Sequence, residues 1–155
     1  MKVRVCLSLL VATALCARGA DAEDLARSLV GAWRLVSTQQ RLSDGSTRPS
    51  PLYGPDGVGY LHYSASGRMC AVLMDPHRAA WKSRGRYEVN EQHGFVIHHV
   101  EMDVVPNSAG TDLKRYVSLE GNRLTLRPAE SFPGGVVEYT LTWERVEGPL
   151  TSTGR

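Results

Sequence analysis

The feature that most constrains this chain is a succession of short, strand-like segments separated at close and regular intervals by turn residues. Glycine, asparagine, serine and aspartate mark the turns, and the segments tend to alternate apolar and polar side chains. Eight such segments are residues 29–41, 58–63, 68–74, 86–90, 95–104, 111–119, 123–127 and 136–146. Eight up-and-down strands can close a barrel wide enough for one small ligand. The sequence therefore predicts an all-β fold, an eight-stranded antiparallel up-and-down barrel.

The two ends of this barrel are distinguished by different residues. Gly31-Ala32-Trp33 opens the first strand, where glycine lets the backbone pass close to the barrel floor and the indole fills that floor. Residues 23–28 are expected to form a helical turn that closes the base. The Pro- and Gly-rich segment 48–57 is too irregular for a strand, so it and residues 105–110 are expected to frame the open mouth.

The first 22 residues are typical of an export signal, and the length of the remainder is typical of one domain. Lys2 and Arg4 precede an apolar run over residues 5–17, and Ala20-Asp21-Ala22 fits a cleavage site. We expect a barrel domain over residues 23–148, a disordered tail over 149–155, and a periplasmic or secreted location. The apolar run is too short to span a bilayer, so no stable membrane insertion is expected.

Removal of the signal changes the charge and the cysteine count. The 18 basic and 16 acidic residues become 15 of each, because Lys2, Arg4, Arg18 and Asp21 are lost. A neutral protein lacks the basic surplus that nucleic acid binding needs. Cys70 is the one cysteine left, which excludes an internal disulfide. A lone thiol on a strand is more often a small core residue than a nucleophile. The sequence leaves the oligomeric state open.

His98 is the candidate for chemistry. Val96, His98, Val100, Met102 and Val104 share one face of the fifth strand, and that face is otherwise apolar. A lumenal imidazole could bind a ligand or transfer a proton. Alternatively, it is a core histidine whose polar atoms are satisfied by a hydroxyl such as that of a tyrosine. The second interpretation is favoured, so no catalytic residue is assigned.

No metal site or cofactor site is predicted. Adjacent histidines on a strand face opposite ways, and the spacing of the other histidines brings no three ligands together. The chain has neither a Gly-x-Ser-x-Gly elbow nor a glycine-rich phosphate loop that carries lysine and opens a helix. Acidic side chains on the fifth strand, Glu101 and Asp103, are expected to face solvent.

Several segments follow one another in a characteristic order: Gly31-Ala32-Trp33-Arg34-Leu35-Val36, Gly59-Tyr60-Leu61 with Ser66-Gly67-Arg68-Met69, Gly85-Arg86-Tyr87-Glu88-Val89, His98-His99-Val100-Glu101, Asn122-Arg123-Leu124-Thr125-Leu126 and Leu141-Thr142-Trp143-Glu144-Arg145-Val146. Over residues 29–146 this set of segments resembles the bacterial and fungal lipocalin-like domain family. The resemblance implies a calycin-type barrel with an internal pocket. Two departures are a short connector at residues 75–84 and Ser108-Ala109 in place of a tryptophan.

The resemblance also implies a structural role for Arg145. In lipocalins an arginine near the end of the last strand stacks on the first-strand tryptophan, so Arg145 is expected over Trp33 beside Gly31. The residues predicted to line the pocket are Leu35, Ser37, Tyr63, His98, Met102, Tyr116 and Tyr139.

Three functions remain open at this point. The first is an exported carrier that binds a small hydrophobic molecule without chemistry, since the predicted lumen is apolar with a few hydroxyls and one imidazole. The second is a cofactor-free isomerase, cyclase or hydratase in which His98 acts as acid and base on a polyketide- or terpenoid-like substrate. The third is a filled structural barrel, which the short connector at residues 75–84 makes possible. The first is preferred.

Overall fold

The computed structural model describes residues 22–77, 80–105 and 107–146, which form one short helix and nine strands. The helix α1 covers Ala22–Leu29, immediately before the first strand. The strands are β1 Gly31–Leu42, β2 Thr47–Pro49, β3 Val58–Tyr63, β4 Arg68–Met74, β5 Ala80–Asn90, β6 Phe95–Asp103, β7 Asp112–Glu120, β8 Arg123–Pro128 and β9 Val136–Arg145.

All strand pairs are antiparallel, and the sheet closes on itself. From β3 onward each strand pairs with the next in sequence, while β1 pairs with β3 on one edge and with β9 on the other. The short strand β2 pairs only with the distal part of β1, beside the barrel. Strand β1 and strands β3 to β9 therefore form a closed barrel of eight strands, which confirms the predicted fold class.

Helix α1 closes one end of the barrel, as the short acidic-then-basic segment predicts. Leu29 at its end is fully buried, and Leu25 one turn earlier packs against the same core. Trp33, Tyr63 and Trp143 are all at most 1 % exposed and fill this end of the interior. The barrel is thus solid near α1, and any cavity has to lie toward the other end.

Two β-bulges change which side chains face inward. In β1 the pairing with β9 shifts by one residue between Leu35 and Ser37, so that Thr38 lies opposite the buried Leu141. In β6 a shift occurs where Gly85 pairs with Val100 and Arg84 pairs with Met102. A bulge places one extra residue on one strand. Beyond it, the side chains that simple alternation would direct inward face outward, and those expected to face outward point inward.

The structure differs most from the predicted strand limits at two places. Strand β5 begins at Ala80 rather than Arg86. Residues 80–85 also pair with β4, and the first of these pairs joins Ala80 to Met74. Strand β2 forms within the segment predicted to be a loop, and Pro49 at its end is tolerated because β2 is an edge strand. The predicted signal sequence and the tail at 149–155 lie outside the described residues, apart from Ala22.

Candidate functional site

The closed end of the barrel is held by contacts between its first and last strands. The guanidinium carbon of Arg145 lies 4.1 Å from the centroid of the Trp33 ring, which is a cation–π distance. The same guanidinium donates hydrogen bonds to the carbonyls of Val30, at 2.9 Å, and Ser28. The Trp33 Nε1–H donates to the carbonyl of Leu29 at 2.9 Å, which satisfies the buried indole.

Gly31 is required at this point by both conformation and space. Its φ of +138° is one that side chains rarely allow, and a Cβ placed there would lie 2.8 Å from Nη1 of Arg145. The structure therefore places Gly31, Trp33 and Arg145 together at the barrel floor, where they have a structural role.

A cavity of about 250 Å³ occupies the other half of the barrel interior. Its walls come mainly from the inner faces of the strands, and its mouth is formed by the loops after β2, β6 and β8. Apolar side chains predominate in its lining, which comprises Leu52, Tyr53, Leu61, Ala71, Leu73, His98, Asp103, Val105, Ser108, Leu113, Arg115, Leu126, Pro128, Phe132, Tyr139, Leu141 and Trp143. Side chains therefore do not completely fill this half of the barrel.

His98 borders this cavity and is bonded to a tyrosine behind it. The Tyr63 hydroxyl lies 2.6 Å from Nε2 of His98, and both side chains are buried. Burial lowers the pKa of His98 from 6.5 to about 3, and the positive charge of Arg115 acts in the same direction. Burial also raises the pKa of Tyr63. His98 is therefore a neutral imidazole at physiological pH, as expected for a core histidine satisfied by a tyrosine hydroxyl.

The seven residues predicted to line the pocket separate into three groups. His98 and Tyr139 border the cavity. Leu35 and Tyr63 point inward but are packed in the core and do not reach the cavity. The prediction was wrong for Ser37, Met102 and Tyr116, which the structure places off the inner face.

Each of these three errors has a local cause. The bulge in β1 turns Ser37 off the inner face and puts Thr38, only 4 % exposed, in its place. The bulge in β6 turns Met102 outward, where it is 63 % exposed, and turns Asp103 toward the cavity. Tyr116 is 40 % exposed because the register of β7 directs Arg115 inward, and the Tyr116 ring meets Phe95 edge-on outside.

The cavity residues that the sequence did not predict include both charged ones, Asp103 and Arg115, and three aromatic ones, Tyr53, Phe132 and Trp143. Asp103 was expected to face solvent, and the inward direction of Arg115 was not recognised. Trp143 is absent from the predicted pocket residues, yet it borders the cavity. Alternation counted along β7 from Val117 would have placed Arg115 inward. Cys70 was interpreted as a core residue, but it is exposed on the outer face of β4.

A larger depression of about 610 Å³ lies outside the barrel, where the ends of β8 and β9 separate. Its lining includes the charged residues Arg127, Glu130 and Glu138, and it shares Pro128, Phe132 and Tyr139 with the inner cavity. Because the inner cavity is apolar and enclosed by the sheet, it is the candidate site for a small ligand.

The part of the chain that the structure describes contains neither a cluster of metal ligands nor a helix that could span a membrane. Within it, no three or more histidine, cysteine, aspartate or glutamate side chains come together as a metal site. The helix within these residues, α1, is too short and polar to cross a membrane.

The comparisons with known proteins agree with this architecture. No curated protein matches the chain. The family model described as a lipocalin-like domain matches it in two overlapping segments, residues 30–85 and 80–146. Together they run from the residue before β1 to the residue after β9 and so include every barrel strand. The chain therefore belongs to the lipocalin-like domain family.

Proposed function

We propose that this protein binds one small, largely apolar molecule inside its barrel and acts as a carrier without changing it chemically. The observation that carries the proposal is the internal cavity of about 250 Å³, bordered by side chains such as Leu61, Leu73 and Leu126. Removing apolar ligand surface from water into such a cavity is favourable by about 25 cal/mol per Å². The apolar lining thus supplies affinity, and the few polar groups supply orientation.

The size of the cavity limits the ligand. A water molecule occupies roughly 30 Å³ of liquid, so the cavity corresponds to about eight water volumes. We therefore infer a ligand on the order of ten non-hydrogen atoms, with little room for a fused multi-ring molecule. Leu52 and Tyr53, in the loop between β2 and β3, border the mouth through which it would enter.

Binding is favoured over catalysis because of the state of His98. An acid and base pair needs a group that gains and loses a proton near the working pH. Burial holds the pKa of His98 at about 3 and raises that of Tyr63, so both stay neutral at pH 7. The Tyr63 to His98 contact supports a fixed polar wall rather than a proton relay.

We further propose that the barrel is exported. Support comes from the sequence alone: Lys2 and Arg4, the apolar run over residues 5–17 and the small residues Ala20 and Ala22. Expression of the full chain in a bacterial host followed by mass spectrometry of the extracytoplasmic fraction tests it. A mass that begins at Glu23 is expected, and full-length protein retained in the cytoplasm would contradict export.

The binding proposal is tested by titrating the protein with 1-octanol and 3-phenylpropanol, using two-dimensional NMR of the backbone amides. Both alcohols are expected to shift the signals of the strands around the cavity at one-to-one stoichiometry. The variant Ala71→Phe fills the cavity and is expected to abolish these shifts, because Ala71 is only 4 % exposed and borders the cavity.

Met102→Phe is the matched control for this substitution. It also introduces a phenyl ring, but Met102 lies on the outer surface, so binding is expected to remain as in the wild-type protein. The absence of shifts with either alcohol, or equal loss in both variants, would contradict a binding site inside the barrel. Conversion of a bound molecule into a new compound would favour an enzyme.

A further inference from the structure

Three side chains that border the cavity, His98, Arg115 and Trp143, carry N–H donors, beside the acceptor-only carboxylate of Asp103 and the hydroxyls of Tyr53, Ser108 and Tyr139. Trp143 is 1 % exposed, and its indole Nε1 is buried with no hydrogen-bond partner among the described residues. An indole N–H can only donate. A buried donor without an acceptor costs about 1 to 3 kcal/mol, so a ligand atom that accepts this hydrogen would remove that cost.

His98 presents a second donor, and its tautomer follows from its partner. The Tyr63 hydroxyl is buried, and Nε2 of His98 is its one hydrogen-bond partner within the described chain. A buried O–H group donates, so Nε2 is the acceptor and the ring proton of the neutral imidazole is on Nδ1. The Nδ1–H has no acceptor among the described residues, and His98 borders the cavity.

Arg115 adds a positive charge with unused donors. Its side chain is 15 % exposed, and Nη1 alone makes its described bonds: to the carbonyl of Lys114 and to both carboxylate oxygens of Glu130, at 2.6 and 2.7 Å. Nε and Nη2 have no acceptor in the described part of the chain. Arginine carries five N–H donors, so three remain for a ligand.

The charge of Arg115 affects the pKa of more groups around the cavity than the charge of Asp103 does. Arg115 lowers the pKa of His98 and opposes the raised pKa values of Tyr63 and Tyr139. Asp103 helps to raise the pKa of Tyr53 at the mouth, where Arg115 acts in the opposite direction, and one oxygen of Asp103 already accepts the Val105 N–H at 2.8 Å. The side chain of Glu130 is 39 % exposed, so water screens its negative charge and weakens its neutralisation of the positive charge of Arg115.

We propose that the ligand is a small apolar carboxylic acid, bound as its anion with the carboxylate directed at Arg115 and at the donors of Trp143 and His98. This rests on the proposed binding function and names the chemical class of its ligand. A carboxylate has only acceptors, and a guanidinium binds it better than it binds an alcohol. The apolar tail lies against the leucines of the cavity.

The test compares two pairs of probes that differ in the polar group: octanoate with 1-octanol, and 3-phenylpropionate with 3-phenylpropanol. Titration calorimetry at pH 7 is expected to show that each acid binds about tenfold or more tightly than its alcohol. Arg115→Met is expected to remove this difference while leaving the affinity for the alcohols within about twofold. Equal affinity of acid and alcohol for the wild-type protein would overturn the proposal.

Arg127→Met is the matched control for charge. Arg127 is exposed and borders the outer depression at the same end of the barrel, so its loss changes the net charge equally without touching the cavity. The preference for the acids is expected to persist in this variant. If Arg127→Met and Arg115→Met reduce acid binding equally, a general electrostatic effect replaces the proposed contact.

A measurement on the wild-type protein keeps the test independent of how Arg115→Met folds. Octanoate is expected to shift the indole N–H signal of Trp143 downfield, whereas the Trp33 signal stays fixed because Leu29 already accepts its hydrogen. A fixed Trp143 signal under saturating octanoate would overturn the carboxylate site. Alcohol binding without a preference for acids contradicts only this inference, and failure of all four probes contradicts the proposed function as well.

Discussion

The hydroxyl of Tyr63 on β3 lies 2.6 Å from Nε2 of His98 on β6, a contact across the interior of the barrel. Because β4 and β5 separate these strands in the sheet, the contact joins two walls that do not pair with each other. It also marks the boundary between the packed half of the barrel and the half that contains the cavity, since His98 borders the cavity and Tyr63 does not.

Tyr63→Phe is expected to destabilise the protein by about 1 to 3 kcal/mol, because it leaves Nε2 of the buried His98 without a partner. The measurement is the free energy of unfolding in urea at pH 7. Tyr60→Phe is the control: Tyr60 is on the same strand but 58 % exposed, so a change below about 0.5 kcal/mol is expected. Equal effects of the two substitutions would contradict a buried hydrogen bond.

The stability of the protein is expected to fall as pH falls from 6 to 4, with a contribution from His98. Its pKa is 6.5 when unperturbed and about 3 in the folded protein. Between these values the unfolded chain binds a proton that the native protein does not bind, so acid favours unfolding by about 1.4 kcal/mol per pH unit. Urea unfolding at several pH values measures this slope.

The His98 contribution is isolated by His98→Gln, which retains a polar side chain without titration. This variant is expected to show a shallower pH dependence than the wild-type protein by about that slope. His93→Gln, in the exposed turn before β6, is the matched control for the same change of side chain at a surface position. Parallel profiles for wild type and His98→Gln would show that His98 is protonated equally in both states.

Arg145→Ala is expected to destabilise the barrel by about 2 to 4 kcal/mol, since it removes the cation on Trp33 and two hydrogen bonds to backbone carbonyls. Arg34→Ala removes a neighbouring arginine whose ion pair with Glu144 is exposed, so a loss under about 1 kcal/mol is expected. Thermal and urea unfolding compare them. An unchanged melting temperature for Arg145→Ala would refute the role assigned to it.

Gly85→Ala is expected to cost more than about 3 kcal/mol or to prevent folding. A Cβ at this position would lie 1.9 Å from the carbonyl oxygen of His99, and backbone atoms at the bulge cannot move away without breaking the β5 to β6 pairing. Gly94→Ala is the control, since no atom lies within 4 Å and only its φ of +64° resists a side chain, at about 1 kcal/mol. Similar unfolding curves for both variants would contradict the clash.

The sequence was sufficient for the architecture because strand alternation and turn residues are local signals. It predicted the number of barrel strands, their order and the helical turn before β1. The sequence was insufficient for the pocket because it does not indicate where a bulge occurs. The residue types in Val36-Ser37-Thr38 and Val100-Glu101-Met102 do not show that one residue in each segment is extra. For this reason Met102, predicted to face inward, lies on the outer surface, and Asp103, predicted to face solvent, borders the cavity. Arg115 was missed because a charged side chain on an inner face contradicts the pattern that identifies that face.

The seam between β1 and β9 also determines when the fold can form. Arg145 and its acceptor Val30 are 115 residues apart, and one edge of β1 has no barrel partner until β9 arrives. During synthesis from the amino terminus, that edge stays open until nearly the whole barrel has been made. Such long-range pairing is typical of proteins that fold in milliseconds to seconds, and an unpaired edge invites association with other chains. Pairing of the last strand with β1 therefore closes the barrel and removes the unpaired edge that makes the incomplete sheet prone to aggregation.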